Sequence, residues 1–198
     1  MLPWMTRKKE LVGLTIGTSS VKAVHLQRSR SAYKLAELGI ARIHPETIVD
    51  GIIMDAGTIS AVIRQLFKEH SIAIKDVAFS VSGNSVISKK IKVPKMKKAE
   101  LREAIAWEAE QHIPFSIEDV NLDFQILREA DPGDQEMEVL LVAVKKDALN
   151  AYLAVISAAG LNAAVVDVDA FAIENAFTMS KKVQPSEVVA LVNIGGAA

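Results

Sequence analysis

Apolar positions along the first half of the chain change rhythm from steps of two to steps of three and four, and that change predicts the order of elements. Alternating, apolar-rich runs at about 11–16, 21–28 and 33–43 read as three successive strands of a meander. After a loop containing Pro45 and Gly51, Ile59, Val62, Ile63, Leu66 and Phe67 fall on one helical face. The spacing predicts a helix from Thr58 to about His70, with Thr58 as its N-cap. Val77-Ala-Phe-Ser-Val-Ser-Gly83 reads as a buried strand ending at a glycine, which completes a first α/β layer.

The character changes after Gly83. Val86 to Val93 alternates apolar residues with lysines until Pro94, and an amphipathic helix carrying Leu101, Ala104, Ile105 and Trp107 then runs to His112, stopped by Ile113-Pro-Phe115. Strands at about 120–128 and 137–144 flank Asp131-Pro-Gly-Asp134, a β-turn signature. A helix from Asp147 to Ala159 ends at Gly160. Residues 84–164 thus read as an inserted strand–helix–strand–strand–helix subdomain, and 9–83 with 165–198 as the main one. The main layer resumes with a strand at Ala163–Val168, a short helix at Asp169–Phe177, a polar linker at 180–186 and a strand-like run from Val188 to Ala198.

Composition narrows the function classes. Half of the 198 residues are apolar, enough for a sizeable core. A net charge of −1 and aromatics that do not interleave with basic residues argue against nucleic-acid binding. The chain has no cysteine, which excludes disulfides and thiolate chemistry. His25, His44, His70 and His112 are dispersed without ligand spacing, so no metal site is assigned and each reads as a surface or partly buried polar residue. No apolar run approaches the ~20 residues that span a bilayer, and the first ten residues lack a signal-peptide core. The default is a cytoplasmic protein that meets a membrane only through partners. Lys89, Lys90, Lys92, Lys95, Lys97 and Lys98 suit either an acidic partner or, the favoured reading, a solvated edge strand. Trp107 suits either an exposed interface anchor or, the favoured reading, the buried helix face.

The candidate chemistry lies in the turn of the first hairpin. Gly17 can adopt backbone angles other residues resist, while Thr18, Ser19 and Ser20 offer hydroxyls and unencumbered N–H groups to an anion. On spacing alone, an ordinary hairpin with a small polar turn is the favoured alternative. Leu14-Thr-Ile-Gly17 is echoed by Val192-Asn-Ile-Gly195, which hints at duplicated phosphate loops across a cleft. Asp167, Asp169 and Glu174 resemble paired carboxylates for acid–base work.

The joint order of these parts resembles the actin-like ATPase superfamily, and within it the PilM family of type IV pilus assembly proteins, relatives of the cell-division protein FtsA. Gly13-Leu-Thr-Ile-Gly-Thr-Ser-Ser-Val-Lys22 is similar to the first phosphate loop, and Ile91–Pro94 through Glu108-Ala-Glu-Gln-His-Ile-Pro-Phe115 to the inserted subdomain. Gly160 to Phe177 resembles the connecting segment, which implies that Asp169 lies near the cleft, and Val192-Asn-Ile-Gly-Gly196 resembles the opening of the second phosphate loop. The fold implied is an actin-like (ribonuclease-H-like) α/β subdomain 1A with an inserted small α+β subdomain 1C as in FtsA, the second half of the actin-like fold lying outside this chain.

The resemblance implies ATP with Mg²⁺ as ligand, held by Gly17, Thr18, Ser19, Ser20, Lys22, Asn193, Gly195 and Gly196. Thr15 and Asn193 stand where the superfamily usually carries carboxylates, and without charge to hold Mg²⁺ and its waters they count against hydrolysis. No catalytic residue or metal ligand is assigned. The implied function is that of a scaffold, cytoplasmic and peripheral to the inner membrane through partners, in the type IV pilus machine that serves twitching motility. It captures the cytoplasmic N-terminal peptide of PilN, in a groove between the main layer and the inserted subdomain, and links the inner-membrane complex to other pilus proteins including the assembly motor. The alternatives are an actin-like-fold ATPase or phosphotransferase, and a filament former like FtsA.

Overall fold

The computed structural model describes residues 10–29, 32–129, 133–181, 184 and 186–196. In chain order the elements are β1 (Val12–Ile16), β2 (Ser20–Ser29), β3 (Ala32–Arg42), β4 (Ile48–Val49), β5 (Ile52–Ile53), α1 (Ala56–Glu69), β6 (Asp76–Val81) and β7 (Val86–Pro94). There follow α2 (Lys98–Glu110), β8 (Val120–Arg128), β9 (Glu136–Lys145), α3 (Lys146–Ala158), β10 (Asn162–Val168) and α4 (Asp169–Ser180). The chain divides into two compact units, residues 1–81 with 151–198, and residues 82–150.

The first unit is built on a five-stranded sheet of order β10-β6-β1-β2-β3. β1, β6 and β10 run parallel, and β2 and β3 continue from β1 as an antiparallel meander. Strand alternation decides which face is covered. Val12, Leu14, Val21, Ala23, Val77, Phe79 and Val81 share one face and are buried, as are Ile59, Ile63, Leu66 and Phe67 of α1. α1 lies so close to β3 that a Cβ on Gly39 would come 2.8 Å from Leu66 Cδ1 and 2.7 Å from His70 Cδ2. His25 is also buried, with Nδ1 2.5 Å from Glu37 Oε2 and Nε2 3.4 Å from Glu10 Oε2.

The N-cap of α1 is Asp55, three residues before the expected Thr58. Asp55 Oδ1 accepts the Thr58 N–H at 2.9 Å, and the Thr58 hydroxyl donates to Oδ2 at 2.6 Å. A carboxylate is a stronger acceptor for free helix N–H groups than a hydroxyl, so Thr58 serves as the third helical residue and answers the cap instead of forming it. The Pro45–Gly51 loop holds a further small feature, the β4–β5 hairpin. Asp50 and Gly51 turn it with φ of 51° and 78°, the left-handed pair that tight hairpins need.

In the second unit, β9 lies between β7 and β8 in an antiparallel sheet. Met137, Val139, Leu141 and Ala143 of β9 pack with Ile91 and Val93 of β7 and with Leu101, Ile105 and Ala109 of α2. The lysine-rich β7 is an edge strand, as expected, with Lys92 3.8 Å from Glu136 and Lys90 3.9 Å from Glu138. Trp107 departs from the expectation of burial and is 76% exposed. The buried stripe of α2 steps by four through Leu101, Ile105 and Ala109, and two residues past Ile105 the helix has turned about 200°, onto the opposite side.

Gly160 ends the α3 region with φ 79°, as its position suggested. Of the Asp131–Asp134 turn, Asp131 and Pro132 lie outside the described residues, and Gly133 has φ 106°. α4 runs on to Ser180, so the expected linker begins later, and its residues 182, 183 and 185 lie outside the described residues. The expected strand at 188–198 does not form among the described residues: Val188, Val192 and Ile194 are 97%, 80% and 80% exposed. A strand needs a hydrogen-bonded neighbour, and none of the described strands pairs with this run.

Candidate phosphate-facing site

The parallel strands β1, β6 and β10 set the geometry. Leu14 pairs with Phe79 and Phe79 with Val166, and two residues further on Val81 pairs with Val168, so all three strands finish at the same end of the sheet. The carboxyl ends of adjacent parallel strands are where open α/β sheets present their loops to ligands. Here they deliver the Gly17–Ser20 turn and the start of α4.

The turn itself is held by its backbone. The Gly17 N–H donates to the Ser20 carbonyl at 3.0 Å, and the Ile43 N–H donates to the Ser19 carbonyl at 3.1 Å. The Thr18, Ser19 and Ser20 hydroxyls have no side-chain hydrogen bond among the described residues. Gly17 does not use the left-handed conformation open to it. Its need is closeness, since a Cβ there would lie 3.3 Å from the Ser20 carbonyl oxygen.

Gly196 comes against this turn. A Cβ on Gly196 would lie 2.8 Å from Ser19 Oγ and 3.5 Å from Thr18 Oγ1, so only a glycine leaves the approach open. The structure thus brings together Thr18, Ser19 and Gly196, from the two segments whose sequences echo each other. Gly195 has open space around it, and Asn193 is exposed. Lys22 stands across the ladder from Thr15 on the sheet face away from α1, exposed and without an ion pair among the described residues.

Asp169, the first residue of α4, accepts a hydrogen bond from the Ser80 hydroxyl of β6. Burial pushes the Tyr152 phenol above its usual pKa of 10.0, and the Asp169 carboxylate adds to the rise. The Tyr152 ring stacks on Phe79, with centroids 6.3 Å apart and planes 25° from parallel. Sequence reasoning missed Ser80 and Tyr152. The signal for Ser80 was its place as a polar residue inside an apolar strand, whereas Tyr152 carried none. Asp167 is half-buried at the Ser80 register position, and Glu174 is exposed on α4.

The donor set suits phosphate oxygens: backbone N–H groups, three hydroxyls and a glycine opening. It offers a metal little, because Thr15 and Asn193 are neutral and Asp169 is already engaged by Ser80. Among the described residues no group of three acidic or histidine side chains is arranged to hold a metal ion.

The family model of the type IV pilus assembly protein PilM matches residues 13–198. The chain belongs to the PilM family. A solved chain from a PilM-PilN type IV pilus biogenesis complex is 32% identical and matches with a TM-score of 0.74 over 82% of this chain. The match covers 48% of that solved chain, so this PilM-family chain spans about half its length. The cytoplasmic domain of EpsL, an inner membrane component of the type II secretion system of Vibrio cholerae, matches with a TM-score of 0.55 at 13% identity, over 83% of this chain and 59% of that one. The mixed α/β sheet architecture is the actin-like fold that these matches share. Among the described residues no helix is long and apolar enough to cross a membrane.

Proposed function

We propose that this chain is the binding part of an adaptor in type IV pilus assembly, taking up the cytoplasmic N-terminal peptide of PilN. The observation that carries the reading is the match to the chain of the PilM-PilN complex, at 32% identity and over 82% of this chain. The adaptor works at the cytoplasmic side of the inner membrane, held there by its partners, and links the inner-membrane complex to the assembly motor and so to twitching motility. In this reading residues 84–164 are the inserted subdomain 1C and residues 9–83 with 165–198 are subdomain 1A. An extended peptide is a ligand such a protein can hold through backbone pairing and shallow apolar seats.

ATP with Mg²⁺ acts in this reading as a modulator. Its phosphates are held by Gly17, Thr18, Ser19, Ser20, Gly195 and Gly196, with Lys22 and Asn193 at the margin. Bound nucleotide supplies charge at the strand ends, while Thr15 and Asn193 leave Mg²⁺ without side-chain carboxylates there. That absence of charge favours binding over turnover.

The test is fluorescence anisotropy of a labelled PilN N-terminal peptide titrated with the chain, with and without Mg-ATP. Saturable binding supports the adaptor, and an affinity that changes with nucleotide supports the modulator. A folded chain that does not bind the peptide removes the adaptor reading.

A further inference from the structure

We propose that His25 is a proton-operated clasp: its charged ring ties Glu10, two residues ahead of β1, to Glu37 of β3, and loss of the proton frees Glu10. The inference stands apart from the PilN and nucleotide readings. His25 sits mid-strand in β2, across from Val12 of β1 on one side and Glu37 of β3 on the other, on the face that α1 covers. It is 5% exposed. A ring so deeply buried needs partners for its polar atoms. Nδ1 has one, Glu37 Oε2 at 2.5 Å. Nε2 is shut off from water and makes no hydrogen bond, and a second carboxylate oxygen, Glu10 Oε2, stands 3.4 Å from it.

Only one state of the ring satisfies both ends. A neutral imidazole carries a single N–H, so whichever nitrogen keeps it, the other turns a lone pair toward a carboxylate. The imidazolium donates from both nitrogens and offsets one of the two negative charges, and burial strengthens each bond. Glu37 is held within the β2–β3 ladder, whereas the Glu10 side chain is 59% exposed and can turn to water once the ring is neutral. Further charged groups border the ring on three sides. Lys34 of β3 stands opposite Gln27, His70 ends α1 beside Gly39, and Lys75 and Asp76 open β6 next to β1. Lys34, His70 and Lys75 are exposed and without an ion pair among the described residues, and Asp76 accepts a hydrogen bond from Asn162. None of these pairs with the ring, so the two glutamates dominate its field.

The test is NMR on the whole chain from about pH 5 to 9, a range that spans the charge change of histidine. Long-range proton–nitrogen spectra of the imidazole rings tell protonated from bare nitrogens, and the His25 signals are those missing in His25→Gln. Hydrogen exchange at the Leu11, Val12 and Gly13 amides reads the release of the segment entering β1. Both His25 nitrogens are expected to carry protons at the acid end. Loss of one proton should come with exchange at these amides faster by about threefold or more, beyond the intrinsic pH dependence. Glu10→Gln changes an exposed side chain, so the fold survives it; the variant is expected to move the ring's transition to lower pH and to abolish the step in exchange. A His25 ring that keeps one charge state throughout, or a transition and an exchange step that are unchanged in Glu10→Gln, would overturn the proposal.

Discussion

The Ser80 hydroxyl donates to the Asp169 carboxylate, joining positions 89 residues apart at the ends of two parallel strands. That bond leaves the carboxylate close enough to Tyr152 to raise its pKa further than burial alone does. Replacing Asp169 with Asn removes the smaller cause and leaves the larger. The Tyr152 pKa is expected to fall but to stay above 10.0, read by phenolate absorbance in a Tyr33→Phe background. The sign for stability follows: a raised folded-state pKa gives stability that is complete below the unfolded value, about 10, and is lost as pH rises through the folded one. Asp169→Asn flattens that alkaline loss. Ser80→Ala leaves the carboxylate without its donor and is expected to cost about 1–3 kcal/mol in urea unfolding.

At Gly39 α1 comes close against the sheet. An added methyl meets Leu66, which is 1% exposed and has no room to turn, as well as the ring of His70, which is exposed and can swing away. Gly39→Ala is therefore expected to destabilise by about 1–3 kcal/mol. Placed together with Leu66→Ala, which removes the obstructing methyl, it is expected to cost less than the sum of the two single changes in a double-mutant cycle.

Gly17 and Gly160 look alike in sequence, each closing an apolar run, and differ in backbone. Gly160 has φ 79° with open space around it, so Ala there is strained by conformation alone, by about 1–2 kcal/mol. Gly17 has no such φ, and its methyl would only crowd the Ser20 carbonyl at 3.3 Å. Gly17→Ala is expected to change stability by less than about 1 kcal/mol, because the gain from a stiffer unfolded chain opposes the crowding. Thermal unfolding of the two variants side by side checks the contrast.

Asp55 caps α1 through two hydrogen bonds to Thr58, and these hold its carboxyl below the usual carboxylate value of 3.8. A depressed folded-state pKa means that its contribution is present above about pH 4 and is lost as pH falls through the folded value. Asp55→Ala should lower the melting temperature at neutral pH, and Asp55→Asn should restore most of it while removing this group's share of the acid dependence. Thr58→Ala should have the smaller effect, the reverse of what the sequence position suggested.

Legibility in the sequence followed the physics of burial. β1, β2 and β6 showed plainly because one face of each is buried, so Val12, Leu14, Val21, Ala23, Val77 and Phe79 alternate with less buried residues. The two-residue strands β4 and β5 are too short to carry a period, and only Asp50-Gly51 betrayed their turn. Val188 to Ile194 read as a strand because alternation records what a neighbour would cover, whereas a strand forms only beside one. At the candidate site the echo between Ile16-Gly17 and Ile194-Gly195 pointed to segments that do approach, through Gly196 and Ser19. Tyr152 stayed invisible, since its link to Asp169 depends on how α3 and α4 pack rather than on spacing.

Trp107 and Ile105 put the helical phase of α2 to a direct test. On sequence both belong to one apolar face; in the structure Ile105 is 7% exposed within the core of its unit and Trp107 is 76% exposed. The larger side chain should therefore matter less to folding. Ile105→Ala is expected to cost about 2–5 kcal/mol, the range for emptying a packed aliphatic site. Trp107→Ala should stay within about 0.5 kcal/mol, since most of the indole surface faces water in both the folded and unfolded chain. Urea unfolding followed by far-UV circular dichroism compares the two without relying on tryptophan emission. A Trp107→Ala variant that lost as much as Ile105→Ala would mean that α2 is rotated by about half a turn. The opposite result keeps a large aromatic side chain at the surface for a reason other than stability.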